Sequence, residues 1–146
     1  MPGRKATAEW SGTLKEGTGN IALGSGSFSG PFSFETRFEE GSGTNPEELL
    51  GAALAGCYAM ALNATLEKEG TPAKRIKAEA KVFLGKDDGG FKINRIDLET
   101  EGEVEGFDQE KFAEVAERVK HTCIISRALA ATDITLKANL RNAQAA

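Results

Sequence analysis

The stretch Thr44-Asn45-Pro46-Glu47-Glu48-Leu49-Leu50-Gly51-Ala52-Ala53-Leu54-Ala55-Gly56-Cys57-Tyr58-Ala59-Met60-Ala61-Leu62 reads as the front of one long helix. Asn45 suits the N-cap and Pro46 the first helical position. Glu48 then falls at the third position, where a carboxylate can reach back to the cap amide as in a capping box. That leaves Glu47 without a structural duty. The pattern runs to about Glu69 and stops at Gly70, a residue suited to the left-handed conformation past a helix end. Leu49 to Leu66 is 18 residues without a charge, apolar nearly all round, so it is expected to be a central helix. The same length lies at the short edge of a membrane span. Its Ala and Gly content, Asn63, Thr65 and the charges at both ends favour a buried helix, and no membrane partner is expected. Gly51, Ala52, Ala55, Gly56 and Ala59 put small side chains at four-residue spacing. Such a face lets a second helix backbone approach, from this chain or from another copy.

Outward from the helix, the two flanks read as strands. Residues 1–43 hold 9 of the 17 glycines, separating short runs (Ala6 to Leu14, Asn20 to Leu23, Pro31 to Phe38) into a two- or three-stranded antiparallel meander. In that reading Phe32, Phe34 and Phe38 share one strand face and Arg37 points to the other. Downstream, Ile76, Ala78, Ala80, Val82 and Leu84 alternate with Lys77, Glu79 and Lys81, the mark of a half-buried strand. Asp87-Asp88-Gly89-Gly90 signals a hairpin. The returning strand changes phase between Ile93 and Ile96, which predicts a β-bulge near Asn94-Arg95. Asp108 is placed to cap a helix carrying Phe112, Val115, Ala116 and Val119, with Glu114 and Arg118 as an i,i+4 pair. Ser126 to Ala131 adds a further helical turn or two, and Thr132 to Leu140 alternates as a last strand. The tail from Asn142 is expected to fray. No repeat or long linker divides residues 1–146, so one domain is expected.

Composition excludes several classes. A formal net charge of −4 and a pI near 5.2 lack the basic footprint of a nucleic-acid binder. The first residues lack an apolar stretch of the kind a secretory leader needs, so a cytoplasmic location is expected. There a static disulfide between the two cysteines is not expected.

Cys57 and Cys123 hold the chemical interest. A thiolate is the nucleophilic form, and a mid-helix thiol in apolar surroundings needs a nearby cation to reach it. Arg37 is a candidate cation, and Glu47 could orient it. Ten helical positions separate Glu47 from Cys57, roughly 15 Å of rise, so one chain cannot hold both in one small site. A second, antiparallel copy could bring its own Glu47 there. His121, the single histidine, stands two residues before Cys123 and offers a Cys-His alternative for a hydrolase. Two buried, inert thiols in a dimeric binder of a small apolar ligand form the non-enzymatic alternative.

The run Gly43 to Ala53, continued by Ala55-Gly56-Cys57 and Met60-Ala61-Leu62, resembles the OsmC/Ohr family. Ala8-Glu9-Trp10-Ser11-Gly12 and Phe34-Glu35-Thr36-Arg37-Phe38-Glu39 are more similar to its OsmC branch, and Cys123-Ile124-Ile125-Ser126-Arg127-Ala128-Leu129 resembles the second cysteine segment. Many members carry Pro directly after that cysteine, where this chain has Ile124. The resemblance implies an α+β fold, antiparallel sheets wrapped around long central helices in an intertwined homodimer. It implies a thiol peroxidase for organic, fatty-acid type hydroperoxides that serves in oxidative and osmotic stress. Cys57 would be the peroxidatic thiol and Cys123 the resolving one, with Arg37 stabilising the Cys57 thiolate and Glu47 holding Arg37. An external dithiol, lipoyl-type in some members, would restore the thiols, and no metal or organic cofactor is implied.

Overall fold

The computed structural model describes residues 2–142 and divides into two compact units, Met1–Leu49 and Leu50–Ala146. In the first, strands β1 (Ala6–Ser11), β2 (Thr18–Leu23) and β3 (Ser29–Phe32) form an antiparallel meander. Ile21 is buried, while every residue of β1 is exposed.

The meander differs from expectation at its end. Instead of one strand through Phe38, the chain turns into a short helix α1 (Phe34–Phe38). Ser33 is its cap: Ser33 Oγ accepts from the Thr36 amide at 3.2 Å, and the Ser33 amide donates to Thr36 Oγ1 at 2.8 Å. This reciprocal pair satisfies two backbone donors and fixes a helical turn where alternation suggested a strand. Phe34 and Phe38 therefore stack one turn apart, with ring centroids at 4.9 Å, and Phe32 lies on the strand before them. Arg37 sits on the exposed side of α1 rather than on a strand face.

Helix α2 (Pro46–Lys68) begins as its sequence signals require. Asn45 Oδ1 accepts from the Glu48 amide at 2.7 Å. The other half of the expected capping box is absent, because Glu48 Oε1 accepts from Thr44 Oγ1 at 2.9 Å instead. Gly70, at φ +89°, ends the run. By length and composition α2 could cross a membrane. It buries one stripe, Leu54, Tyr58, Leu62 and Leu66, each fully covered. Ala52, Gly56, Met60 and Ala64 lie exposed on another face, so within one chain the helix is apolar all round but not buried all round.

In the second unit, β4 (Arg75–Asp87) and β5 (Gly90–Glu103) form the predicted hairpin. Phe83 pairs with Arg95 and Leu84 with Ile93, so Asn94 is the extra residue of the bulge. Helix α3 (Gln109–Thr122) starts at Asp108, whose side chain accepts from the Lys111 amide, and buries Phe112, Val115, Ala116 and Val119. Arg118 pairs with Glu69 at 2.6 Å rather than with Glu114. That bond ties α3 to the end of α2 instead of bracing α3 alone. A one-turn helix α4 (Ile124–Ala128) and strand β6 (Asp133–Leu140) complete the order. β6 pairs parallel to β5, reached through the two helices, and the other strand pairs are antiparallel. Asn142 does not fray: its amide nitrogen donates to the Val104 and Phe107 carbonyls and its Oδ1 accepts from the Val104 amide. The rest of the tail lies outside the described residues.

The core of the second unit gathers Leu54, Tyr58, Leu62 and Leu66 of α2, Ile96 and Leu98 of β5, Val104, Phe107, the buried face of α3, and Cys123. Two of its buried hydroxyls are paired. Tyr58 Oη donates to the Ala116 carbonyl at 2.8 Å, and Thr100 Oγ1 to the Lys77 carbonyl at 2.9 Å.

Candidate active site: a dithiol and an arginine–glutamate pair

Sequence distance disappears at the two thiols. Cys57 and Cys123, 66 residues apart, stand with Sγ atoms 3.0 Å from each other and remain free thiols. Packing explains the meeting. Cys57 is one residue before buried Tyr58, and Tyr58 is bonded to α3 at Ala116, about two turns before Cys123. Cys123 closes α3, its amide donating to the Val119 carbonyl at 3.0 Å, and at once serves as the N-cap of α4. Ile124 takes the first position of α4 with its side chain exposed. That is the helical position proline itself favours, so Ile124 stands where the resemblance implies a Pro, and α4 begins there all the same.

The thiols differ in environment. Cys123 is 1% exposed, whereas Cys57 is only partly covered. Burial, then the hydrogen bond to Cys123, holds the Cys57 thiol above its ordinary pKa, despite amides of Ile125 and Ile124 that favour the ionised sulfur. At Cys123, burial also opposes charge, but the hydrogen bond with Cys57, the Ser126 amide and hydroxyl and the Ile125 amide outweigh it and set its pKa below the ordinary value. The 3.0 Å contact runs from Cys123 to Cys57 by geometry, but each sulfur carries a proton when neutral, so either thiol can donate. We take Cys57 as donor, because Cys123 faces the Ser126 amide and hydroxyl in addition to the Ile125 amide that the two thiols share. In the chain alone, then, the first proton leaves Cys123, opposite to what a peroxidatic Cys57 requires.

The second candidate pair lies in the first unit. Arg37 Nε and Nη2 both donate to Glu47 Oε1, at 3.1 and 2.9 Å. Glu47 is buried and Arg37 partly exposed, 11% against 42% at the side chains. A buried carboxylate needs such a partner. The scaffold is Asn45, which does two jobs: Oδ1 caps α2, while Nδ2 donates to the Thr36 carbonyl at 2.9 Å. α1 and the start of α2 are thereby locked, and their side chains at 37 and 47 meet. Gly43 (φ +129°) permits the approach, since a Cβ there would strike the Pro31 carbonyl oxygen, which accepts from the Thr44 amide at 2.9 Å. Glu47 Oε2 is buried without a hydrogen-bond partner among the described residues.

His121 does not join the thiols. It is exposed on α3 and contacts Glu117 Oε1 at 3.3 Å. Ser126, which sequence reasoning passed over, faces Cys123 from the third position of α4. Its signal was the Cys-x-x-Ser spacing, the arrangement of an N-cap and its third helical residue.

The OsmC-like protein family model matches residues 39–138, and the chain belongs to that family. It is 41% identical over 140 residues to Peroxiredoxin OsmC of Escherichia coli (strain K12), spanning 95% of this chain and 97% of that one. The same figures hold for Peroxiredoxin OsmC of Shigella flexneri. Among solved structures, the organic hydroperoxide resistance protein OhrB of Bacillus subtilis superposes with a TM-score of 0.69 at 26% identity, over 94% of this chain and 98% of that one. An organic hydroperoxide resistance protein OsmC from Legionella pneumophila shares the fold, with a TM-score of 0.72 at 20% identity over 92% and 96%.

Proposed function

We propose that this chain is a cytoplasmic, cysteine-based peroxidase of the peroxiredoxin type that reduces organic, fatty-acid type hydroperoxides in stress defence. The observation that carries the reading is the 3.0 Å approach of Cys57 and Cys123. The names of the relatives, peroxiredoxin and organic hydroperoxide resistance protein, support it.

The Cys57 thiolate attacks the distal peroxide oxygen, the O–O bond breaks, and the alkoxide takes a proton and leaves as alcohol. Cys57 is now a sulfenic acid. Attack by Cys123 sulfur forms the disulfide and expels water. An external dithiol, lipoyl-type or similar, then returns both thiols by exchange. The partly exposed thiol is the one a peroxide can reach, which assigns attack to Cys57 and resolution to Cys123. Ionising Cys57 against its burial is the task of Arg37, held by Glu47. Because Glu47 and Cys57 stand ten positions apart on one helix, we assign the Arg37–Glu47 pair of one copy to the Cys57 of another in a homodimer. The exposed apolar face of α2 is the surface that would join the copies.

The test is a peroxidase assay with cumene hydroperoxide and a dithiol reductant. Cys57→Ser is expected to abolish turnover, and Cys123→Ser to permit one turnover followed by over-oxidation of Cys57 seen by mass. Undiminished turnover in Cys57→Ser would remove the reading and favour the non-enzymatic binder.

A further inference from the structure

The Cys57–Cys123 disulfide can be reopened at either sulfur, and the two choices give different intermediates. Attack on Cys57 leaves the reductant bound there and frees Cys123. Attack on Cys123 does the reverse. Three features separate them. The first is access, since Cys123 is 1% exposed and Cys57 partly open. The second is Ser126. The residue is 5% exposed, and its Oγ is buried with no hydrogen-bond partner among the described residues. A buried hydroxyl without a partner is costly unless it gains one at some stage. The third is direction. The groups that would favour negative charge at Cys123 are that hydroxyl and the amides of Ser126 and Ile125. With both thiols free, the Cys123 sulfur accepts no cap hydrogen bond from the first-turn amides of α4. The donors are therefore poised for an ionised sulfur and unused by a neutral one.

We propose that the external thiol attacks Cys57 and that Cys123 leaves as a thiolate received by the Ser126 hydroxyl. The reductant thiolate bonds to the Cys57 sulfur while the Cys57–Cys123 bond breaks, and its electron pair stays on Cys123. The second thiol of the reductant, ionised, then attacks the reductant's own sulfur in the mixed disulfide. That closes the reductant's disulfide and releases Cys57 as thiolate. Two electrons pass to the protein, and the two protons of the dithiol go to the protein sulfurs or to solvent. The better leaving group is the sulfur whose thiolate is better stabilised, and Ser126 supplies a charge-assisted hydrogen bond of that kind. The inference rests on the peroxidase reading only for the disulfide's place in a cycle; the direction of its opening is a property of the pair itself.

The full chain is oxidised with diamide, desalted, mixed rapidly with 2-mercaptoethanol and quenched within milliseconds into acidic N-ethylmaleimide for peptide mass mapping. The expected result is mercaptoethanol on Cys57 and maleimide on Cys123. The reverse placement, an even split, or failure of diamide to form the disulfide overturns the proposal. In a glutathione redox titration at alkaline pH, where the Cys123 sulfur is ionised, Ser126→Ala is expected to shift the equilibrium about tenfold toward the disulfide, close to 30 mV for this two-electron couple. Ser126→Thr, which keeps the hydroxyl, is expected to restore it. A folded Ser126→Ala chain with the wild-type equilibrium removes Ser126 from the role. A chain inert to peroxide that still takes the adduct on Cys57 would retain this inference and remove the peroxidase reading. An active peroxidase with the adduct on Cys123 would do the opposite.

Discussion

Glu47 shows how much one carboxylate depends on its neighbours. Its Oε1 takes two N–H bonds from Arg37 while Oε2 takes none. A lysine at 37 would keep the charge but could not present two fixed donors to one oxygen. Arg37→Lys is therefore expected to lower the second-order rate with organic hydroperoxide by roughly tenfold or more, about 1.4 kcal/mol of activation free energy. Stopped-flow measurement of Cys57 oxidation checks it, and a wild-type rate in Arg37→Lys would show that charge alone suffices. Glu47→Gln, which keeps the shape, is expected to slow the same step. The sequence freed Glu47 on the premise that Glu48 closes a capping box; Glu48 accepts from Thr44 instead, but Asn45 caps α2 without it and Glu47 is left for Arg37. What was not legible was the donor's setting. Phe32, Phe34 and Phe38 share parity, so Arg37 read as a strand residue, whereas the Ser33–Thr36 reciprocal cap makes that segment a helical turn. A two-residue cap outweighs alternation when the run is this short.

At the scale of elements, α2 and α3 set where the thiols stand, and Tyr58 is their fastening. Its hydroxyl bonds the Ala116 carbonyl deep in the core. Tyr58→Phe is expected to cost on the order of 1 kcal/mol of unfolding free energy, the net value of one buried hydrogen bond. Tyr58→Ala should cost about 3–5 kcal/mol by adding a cavity. Urea unfolding measures both, and a neutral Tyr58→Ala would contradict the packing described. Burial first, then the nearby Glu117 and Cys123, raises the Tyr58 pKa well above its ordinary value. The folded protein thus holds that proton more tightly than the unfolded chain does. Its contribution to stability is whole below the unfolded value near 10 and declines as pH rises beyond it. Tyr58→Phe should lack that alkaline loss. Helix ends, the β4–β5 hairpin and the Asn94 bulge were readable because each rests on local chemistry. The Arg118–Glu69 pair and the parallel β5–β6 register were not, because both depend on where distant segments pack.

For the whole molecule, the exposed stripe of α2 is the part a single chain leaves unexplained. Ala52, Gly56, Met60 and Ala64 recur every fourth residue on α2, away from its one buried stripe, and Met60 is 77% exposed. A helix this apolar seeks cover on both faces, and small side chains let a like helix come close. The sequence offered Gly51, Ala52, Ala55, Gly56 and Ala59 as the small-residue face; Ala52 and Gly56 are on the exposed stripe, whereas Gly51 is buried against Ala80. The thiols add a chemical reason for a second copy, since Cys57 in one chain is held protonated by burial and by Cys123. Met60→Glu places a charge at the centre of the stripe without entering the core. Light scattering is expected to show twice the 15.5 kDa chain mass for the wild type and the single mass for Met60→Glu, with circular dichroism unchanged. The monomer should lose most of its rate with organic hydroperoxide. It should still form the Cys57–Cys123 disulfide with diamide, because that contact lies within one chain. A monomeric Met60→Glu that reduces peroxide at the wild-type rate would show that each chain activates its own Cys57, and the shared-site assignment of Arg37 and Glu47 would fall.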